Sequence, residues 1–166
     1  MTVVVRTPVI EDATAMAKVH VETWQETYQG TMPDEILFAP DFLQRREHMW
    51  NSLLAGGTSG KLTIAIAEHD RQLVGIAMSG PSDDEDRQGE SELFVLYTYE
   101  SVHGQGAGAK LLEAVVAPDE SVSLWVADPN PRAQAFYCKM GFAPDGSRST
   151  DDDDGVTEIR MIRPSR

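Results

Sequence analysis

Three glycines within five positions constrain the fold of this chain more than any other feature of its sequence. Gly104, Gly106 and Gly108 lie shortly before the apolar residues 111–116. Glycine permits a positive φ and a close approach of ligand to backbone, because it has no Cβ. The apolar segment predicts a helix, whose first N–H groups lack intrahelical partners and attract anions, phosphate above all. Since residues 92–99 are typical of a buried strand, we expect a strand, glycine loop and helix that bind a pyrophosphate. The alternative is a loop whose glycines serve only tight turning.

The same glycines fit a dinucleotide-binding motif. Residues 104–109 satisfy G-x-G-x-x-G/A, and Asp128 follows about 20 residues later, after the predicted strand 123–127. In that motif the first glycine follows its strand almost directly, whereas residues 100–103 intervene here. The motif also opens a doubly wound sheet, and too little chain follows Asp128 to complete half of one. The dinucleotide-binding fold therefore stands as the alternative interpretation.

Composition narrows the class of protein. The chain has 166 residues, 41% hydrophobic and 25% charged, which predicts one globular domain over residues 1–166. A net charge of −13 argues against binding to nucleic acid or to anionic membranes, both of which need Lys and Arg. The single cysteine, Cys138, excludes an internal disulfide and a cysteine-based zinc site. Without a leader-like or long apolar segment, the sequence predicts a cytoplasmic protein with no membrane partner.

Periodicity predicts the other elements of the chain. The predicted strands are residues 2–6, 61–68, 72–78, 92–99 and 122–127, with a final hairpin over 142–163 that turns near 153–155. The predicted helices are residues 10–28, 33–38, 41–54, the segment after the glycine loop and 133–140. Gly30, the pair Gly56 and Gly57, and Gly141 are expected to end the first, third and last of these helices.

Two further features allow two interpretations each. Trp24, Tyr28 and Trp50 are aromatic residues at helical spacing, which is typical either of core packing or of the lining of a substrate pocket. The acidic segments 82–89 and 151–154 are interpreted as solvated surface, as most such charge runs are.

A second motif follows the glycine loop at residues 130–142. Its sequence, Asn-Pro-Arg-Ala-Gln-Ala-Phe-Tyr-Cys-Lys-Met-Gly-Phe, resembles the second signature of the GNAT superfamily of N-acetyltransferases, N-x-x-A-x-x-F-Y-x-K-x-G-F. The first signature of that family, R/Q-x-x-G-x-G/A, is matched from His103 through Gly106 to Gly108, with His103 replacing the usual Arg or Gln. Residues 96–98 fall where the family has Leu-Tyr-Val. Two such signatures about 25 residues apart are far more specific than the glycine loop alone.

The resemblance implies a GNAT fold of the α/β (α+β) class. This fold has a central, twisted, mixed but mostly antiparallel sheet with helices on both faces and a splay between its fourth and fifth strands, here 92–99 and 122–127. Acetyl-CoA would lie in the splay as cosubstrate, its pantetheine paired with the backbone of residues 96–98. No metal is implied. The expected cofactor-binding residues are Leu96, Tyr97, Thr98, His103, Gly104, Gln105, Gly106, Ala107, Gly108 and Asn130.

Two departures from the family pattern concern the coenzyme. Glu100 replaces a common strand-ending proline, and His103 replaces the basic or amide side chain at the start of the loop. Because backbone amides do most of the phosphate binding, we expect His103 to weaken coenzyme binding only modestly. Its neutral imidazole could donate one hydrogen bond there, or it could simply face solvent.

The implied reaction, acyl transfer to an amine through a tetrahedral intermediate, sets two proton-transfer tasks. Tyr137 is the candidate general acid that protonates the leaving thiolate. Glu92 is the candidate general base, acting directly or through water. The alternative for Glu92 is a surface carboxylate at a strand end, with a chain of waters deprotonating the amine.

The acceptor side is framed in this family by the end of the first helix and by the last hairpin. Trp24 and Tyr28 are therefore expected to contact the acceptor. Acidic residues at 83–86 and 151–154 favour a cationic primary amine, on a small molecule or a protein N-terminus. A noncatalytic acyl-CoA-binding sensor or partner module is the alternative function. A homodimer is compatible with the family, although no segment of this chain identifies an interface.

Overall fold

A computed structural model describes residues 2–56 and 61–166. The strands within these residues are β1 (Val4–Arg6), β2 (Thr63–His69), β3 (Gln72–Pro81), β4 (Ser91–Thr98), β5 (Val122–Ala127), β6 (Ala143–Thr150) and β7 (Thr157–Arg163). The α-helices are α1 (Ala13–Tyr28), α2 (Asp34–Leu37), α3 (Phe42–Leu54), α4 (Ala107–Val115) and α5 (Pro131–Lys139). Gly57, one of the two glycines expected to end α3, lies outside the described residues.

The strands form one mixed sheet in the order β1-β2-β3-β4-β5-β7-β6. Neighbouring strands are antiparallel except for β4 and β5, which are parallel. The predicted mixed, mostly antiparallel sheet is therefore confirmed. The dinucleotide-binding alternative is wrong, because that fold needs a mostly parallel sheet with alternating crossover helices.

The two central strands diverge along their length. β4 pairs with β5 only from Ser91 to Leu93, whereas it pairs with β3 to its end at Thr98. The N–H of Tyr99 donates to the carbonyl of Val74 on β3, at 3.1 Å. Because alternate residues of an antiparallel strand point their backbone groups to opposite neighbours, Leu96 and Thr98 present theirs to the open side. The splay predicted between the fourth and fifth strands is thus present, with an unpaired strand edge inside it.

Helices cover both faces of the sheet, and the pleat of β2 shows how the core divides between them. Ile66 packs with Met16 of α1 and Trp50 of α3, both fully buried. Ala65 and Ala67, which point the other way, lie in the core under α4. Small residues are needed there because α4 packs very close to the sheet. A Cβ built on Gly75 would lie 2.8 Å from Cδ1 of Leu111.

Candidate active site

The open side of the splay leads into a cavity of about 1010 Å³. Its lining contains both predicted catalytic residues, both predicted acceptor contacts and every predicted cofactor-binding residue except Gln105. Residues separated by more than 100 positions, such as Trp24 and Tyr137, therefore meet at one site. A concave site with a few convergent polar groups is typical of ligand binding.

The glycine loop forms one end of this cavity. Gly104 and Gly106 have φ of 78° and 83°, a region that side chains with a Cβ rarely adopt. The first hydrogen bond of α4 runs from the N–H of Lys110 to the carbonyl of Gly106, at 3.1 Å. The N–H groups of Ala107 and the next two residues therefore have no intrahelical acceptor. A helix end of this kind attracts anions.

Gly108 serves a different purpose from the other two glycines. It lies inside α4, where positive φ is not required, and a Cβ there would lie 3.2 Å from Cζ of Phe136. The third glycine thus permits close packing of α4 on α5. Phe136 shares one face of α5 with Arg132 and Lys139, which line the cavity as well. This end of the cavity consequently combines free amides with two cations.

Two side chains of the predicted loop form hydrogen bonds within the protein. Gln105 does not line the cavity, because its backbone N–H donates to the carbonyl of Val102 and its side chain to the carbonyl of Ser101. His103 is half-buried, and its Nε2 lies 3.2 Å from the carbonyl oxygen of Thr98. That carbonyl can only accept, so Nε2 carries the proton. His103 therefore does not simply face solvent, and its Nε2 proton is not available to a ligand. Its hydrogen bond is with the Thr98 carbonyl, on the open edge of β4.

Asn130 acts first as a helix cap. Its Oδ1 accepts a hydrogen bond from the N–H of Ala133 at 3.2 Å, and Pro131 follows at the first position of α5. This pair of residues makes α5 begin two residues earlier than the sequence predicted. Asn130 lines the cavity, and its side-chain N–H groups donate to no residue that the structure describes.

Tyr137 of α5 lines the cavity. Its ring is buried and packs edge-on against Phe136 and Phe142, at centroid distances of 5.3 and 5.7 Å. Among the residues that the structure describes, none forms a hydrogen bond to its hydroxyl. Burial raises the pKa of this phenol above its ordinary value, so it keeps its proton at neutral pH.

Glu92 projects from β4 into the same cavity and is 8% exposed. Its Oε1 accepts hydrogen bonds from Ser82 Oγ at 2.9 Å and from the N–H of Asp83 at 3.3 Å. Burial raises the pKa of this carboxyl, with the charge of Asp84 adding to the effect, while the hydrogen bond from Ser82 opposes it. A carboxylate with a raised pKa is a stronger proton acceptor than one at the surface. Glu92 is therefore not a surface carboxylate, while its role as general base, as against a chain of waters, stays a prediction.

Aromatic rings form one wall of the cavity. Trp24 packs edge-on against Tyr28 at 5.5 Å and Tyr97 at 6.2 Å, and all three line the cavity. Trp50 is different: it is fully buried in the core and donates from Nε1 to Nδ1 of His20 at 3.2 Å. Of the three aromatic residues at helical spacing, two line the cavity and one is core.

Sequence reasoning missed Glu158. This residue lies on β7 opposite Ala127 of β5 and lines the cavity. Its carboxylate has no hydrogen-bond donor among the residues described here. Burial raises its pKa, and the negative charges of Asp154, Asp151 and Glu92 raise it further. The register of β7 on β5 brings Glu158 to the site, and no local sequence pattern reports that register.

The interpretation of residues 82–89 as solvated surface is wrong for Asp84, whose side chain is 22% exposed, while Asp86 is exposed but paired. Asp84 and Asp86 bind the guanidinium of Arg160, which is buried on β7. Asp145 of β6 binds the same guanidinium through Nε, at 2.7 Å. Asp84 also accepts a hydrogen bond from Nε1 of Trp125, at 3.0 Å. An ion-pair cluster thus fastens this loop to the sheet beside the cavity.

Comparison with known proteins agrees with this architecture. Residues 14–142 match the model of the Acetyltransferase (GNAT) family, and the chain belongs to that family. An uncharacterized N-acetyltransferase of Mycobacterium tuberculosis is 39% identical over 97 residues, which cover 55% of this chain and 60% of the relative. The chain thus spans less than two thirds of that relative. The uncharacterized N-acetyltransferase YuaI of Bacillus subtilis is 29% identical over 96% of this chain and 88% of its own length.

Solved structures share the fold at low identity. The PaiA N-acetyltransferase of Thermoplasma acidophilum, solved in complex with coenzyme A, has a TM-score of 0.73 at 20% identity, covering 99% of both chains. A structure from Corynebacterium glutamicum, described as histone acetyltransferase HPA2 and related acetyltransferase, has a TM-score of 0.73 at 22% identity. It covers 100% of this chain and 98% of its own.

The chain therefore belongs to a family of acetyltransferases, and the noncatalytic acyl-CoA-binding module stays the alternative function. The residue roles derived above remain predictions that experiment must test. In the part of the chain that the structure describes, no helix has the length and apolar character needed to cross a membrane.

Proposed function

We propose that this enzyme transfers the acetyl group of acetyl-CoA to a primary amine of a small molecule or a protein N-terminus. The observation that carries the proposal is the position of Tyr137 and Glu92. A protonated phenol and a buried carboxylate line one cavity, which opens where β4 loses its pairing with β5. Acyl transfer to an amine needs one group to donate a proton and another to accept one.

The residues at the loop end of the cavity fit a coenzyme with phosphates and an amide-bearing arm. Free N–H groups at the start of α4, together with Arg132 and Lys139, suit phosphate. The unpaired backbone groups of Leu96 and Thr98 suit an arm that pairs like an added strand. Because His103 already contacts the carbonyl of Thr98, that arm would compete for this acceptor or pair with the remaining groups. Acetyl-CoA supplies an activated thioester carbonyl at the far end of such an arm.

Two side chains carry the protons in this proposal. As the new N–C bond forms, the amine loses a proton to Glu92, directly or through one water. As the C–S bond breaks, Tyr137 gives its proton to the leaving sulfur. Solvent then returns the proton from Glu92 to Tyr137, so that an amide and a free thiol are the products.

The proposed acceptor carries positive charge. Glu92, Glu158 and Asp154 line the cavity, and ammonium groups are attracted to carboxylates and to aromatic faces such as that of Trp24. Asp84 and Asp86 add little to this attraction, because Arg160 already pairs with both. Residues 83–86 therefore favour a cationic acceptor less than their sequence predicted. Glu158 favours it instead.

The proposal is tested first by ligand binding. A ligand that binds the native state raises the melting temperature, so CoA and acetyl-CoA should stabilise the protein and NAD should not. Thiol release from acetyl-CoA is then measured with a panel of amines at low salt. The panel pairs each monoamine with a diamine of the same chain length, so that only the second charge differs.

Each outcome has a separate meaning. Absence of any shift with CoA refutes the coenzyme site, and absence of thiol release with every amine refutes the transferase activity proposed here. Equal kcat/KM for paired monoamines and diamines refutes the cationic acceptor alone. A preference for diamines that disappears in Glu158→Gln supports it.

A further inference from the structure

Arg160 of β7 forms side-chain contacts with the loop between β3 and β4. It lies on β7 directly opposite Trp125 of β5, with its guanidinium 5.6 Å from the indole centroid. Its partners Asp84 and Asp86 belong to the loop between β3 and β4. The contact therefore joins the β3–β4 loop to the β5–β7 half of the sheet, across the line where the splay opens.

The geometry of this cluster is that of a strong charge-assisted contact. Nη1 and Nη2 of Arg160 bind the two carboxylate oxygens of Asp86, each at 2.7 Å. Nη1 also lies 3.2 Å from Oδ2 of Asp84. The Arg160 side chain is only 7% exposed, whereas that of Asp86 is 65% exposed, so solvent partly screens this pair. Asp84, at 22% exposed, is better shielded. Bidentate pairing also fixes orientation, which a single surface ion pair does not.

The loop held in this way contacts the cavity at two points. Its Ser82 and Asp83 supply both hydrogen bonds that Oε1 of Glu92 receives. Its Asp84 lines the cavity and accepts the indole N–H of Trp125, another lining residue. A displacement of the loop would therefore release Glu92 and Trp125 together.

We propose that Arg160 is a positioning residue for the acceptor half of the cleft. By binding Asp84 and Asp86 it holds residues 82–86 against β5 and β7, and that loop in turn fixes Glu92 and the wall beside Trp125. Arg160 does not line the cavity and acts only through its partners. This role rests on the proposed transfer to an amine, because it concerns the side of the cleft that receives the amine.

Two variants of the partners test the role without removing the buried arginine, whose loss would leave three carboxylates unpaired. Asp86→Asn weakens the contact on the loop, and Asp145→Asn weakens an equally short contact, 2.7 Å, on the sheet side. Asp86 and Asp145 both lie outside the cavity lining. Both substitutions replace a carboxylate bound to Arg160 by the corresponding amide, and only Asp86→Asn acts on the loop.

Two measurements are made on both variants. Hydrogen exchange reports the opening of residues 82–90. Steady-state kinetics with the best amine of the panel give separate KM values for the amine and for acetyl-CoA. In Asp86→Asn we expect faster exchange in 82–90 and a KM for the amine raised about two- to fivefold, since the Asp86 side chain is 65% exposed and an ion pair of this kind contributes only modestly. The KM for acetyl-CoA should not change, and Asp145→Asn should show neither effect.

Other results overturn the proposal. Equal changes in the two variants would make Arg160 a general structural ion pair. Faster exchange in Asp86→Asn with an unchanged KM for the amine would mean that the loop does not position the acceptor side. These outcomes are distinct from a failure of the proposed function, in which the unmodified enzyme binds CoA yet releases no thiol with any amine.

Discussion

Replacing Gly106 by alanine should lower the affinity for the coenzyme, in addition to a modest loss of thermal stability. Gly106 has φ of 83°, and a Cβ there would have no atom within 4 Å. The substitution therefore creates no clash and costs only the left-handed backbone conformation, about 1–2 kcal/mol. For a domain of this size, each kcal/mol lowers the melting temperature by about 2–4 °C. The new methyl group would point into the open space before the free amides of α4.

Gly56→Ala is the matched control. Gly56 has φ of 90° and also has no atom within 4 Å of a built Cβ, but it follows α3 and does not line the cavity. Both variants should lose similar stability in thermal melts. Only Gly106→Ala should bind CoA less tightly in calorimetric titration, by about tenfold if one amide–phosphate hydrogen bond is lost. Equal CoA affinity in the two variants would refute the role of these amides in binding phosphate.

Three further predictions concern buried titratable groups. Tyr137→Phe should lower kcat by about 100-fold while leaving the CoA-induced thermal shift intact; an unchanged rate and pH profile would exclude Tyr137 as the acid. Glu158→Gln should raise the melting temperature at pH 8. The folded-state pKa of Glu158 is raised, so its ionised form destabilises the fold as pH rises through that pKa. Glutamine has no charge and avoids this destabilisation. A melting temperature of Glu158→Gln below that of the unmodified enzyme at pH 8 would contradict this explanation. Burial, aided by Arg46, lowers the pKa of His20 from 6.5 to about 3. The folded protein therefore holds His20 in its neutral form. Between pH 6.5 and about pH 3, the free energy of unfolding should fall as pH falls, and His20 should contribute about 1.4 kcal/mol per pH unit to that fall. Urea unfolding of His20→Gln should show a shallower dependence, and an identical slope would refute the assignment.

The sequence by itself determined most of the architecture. Glycine spacing and apolar periodicity predicted the strand–loop–helix unit. The resemblance that rests on the 130–142 motif implied the splay and a set of site residues, all of which line the cavity except Gln105. These features are local, because a positive φ, a helix cap or an amphipathic face depends on neighbours only a few residues away. The need for glycine at position 108 depends instead on a distant residue. Gly108 permits close contact with Phe136, which lies 28 residues further along the chain.

Tertiary structure alone decided which polar groups reach the cavity and which are already paired. The register of β7 on β5 brings Glu158 to the site. Arg160 lies two residues further along β7 and forms ion pairs with aspartates from two other segments. The three aromatic residues at helical spacing divide between wall and core, because Trp24 and Tyr28 of α1 line the cavity whereas Trp50 of α3 packs in the core with Met16 and Ile66. Charge and periodicity are properties of the chain, whereas burial and pairing follow from contacts between distant segments. Only those contacts separate a solvated carboxylate from one that can bind an amine.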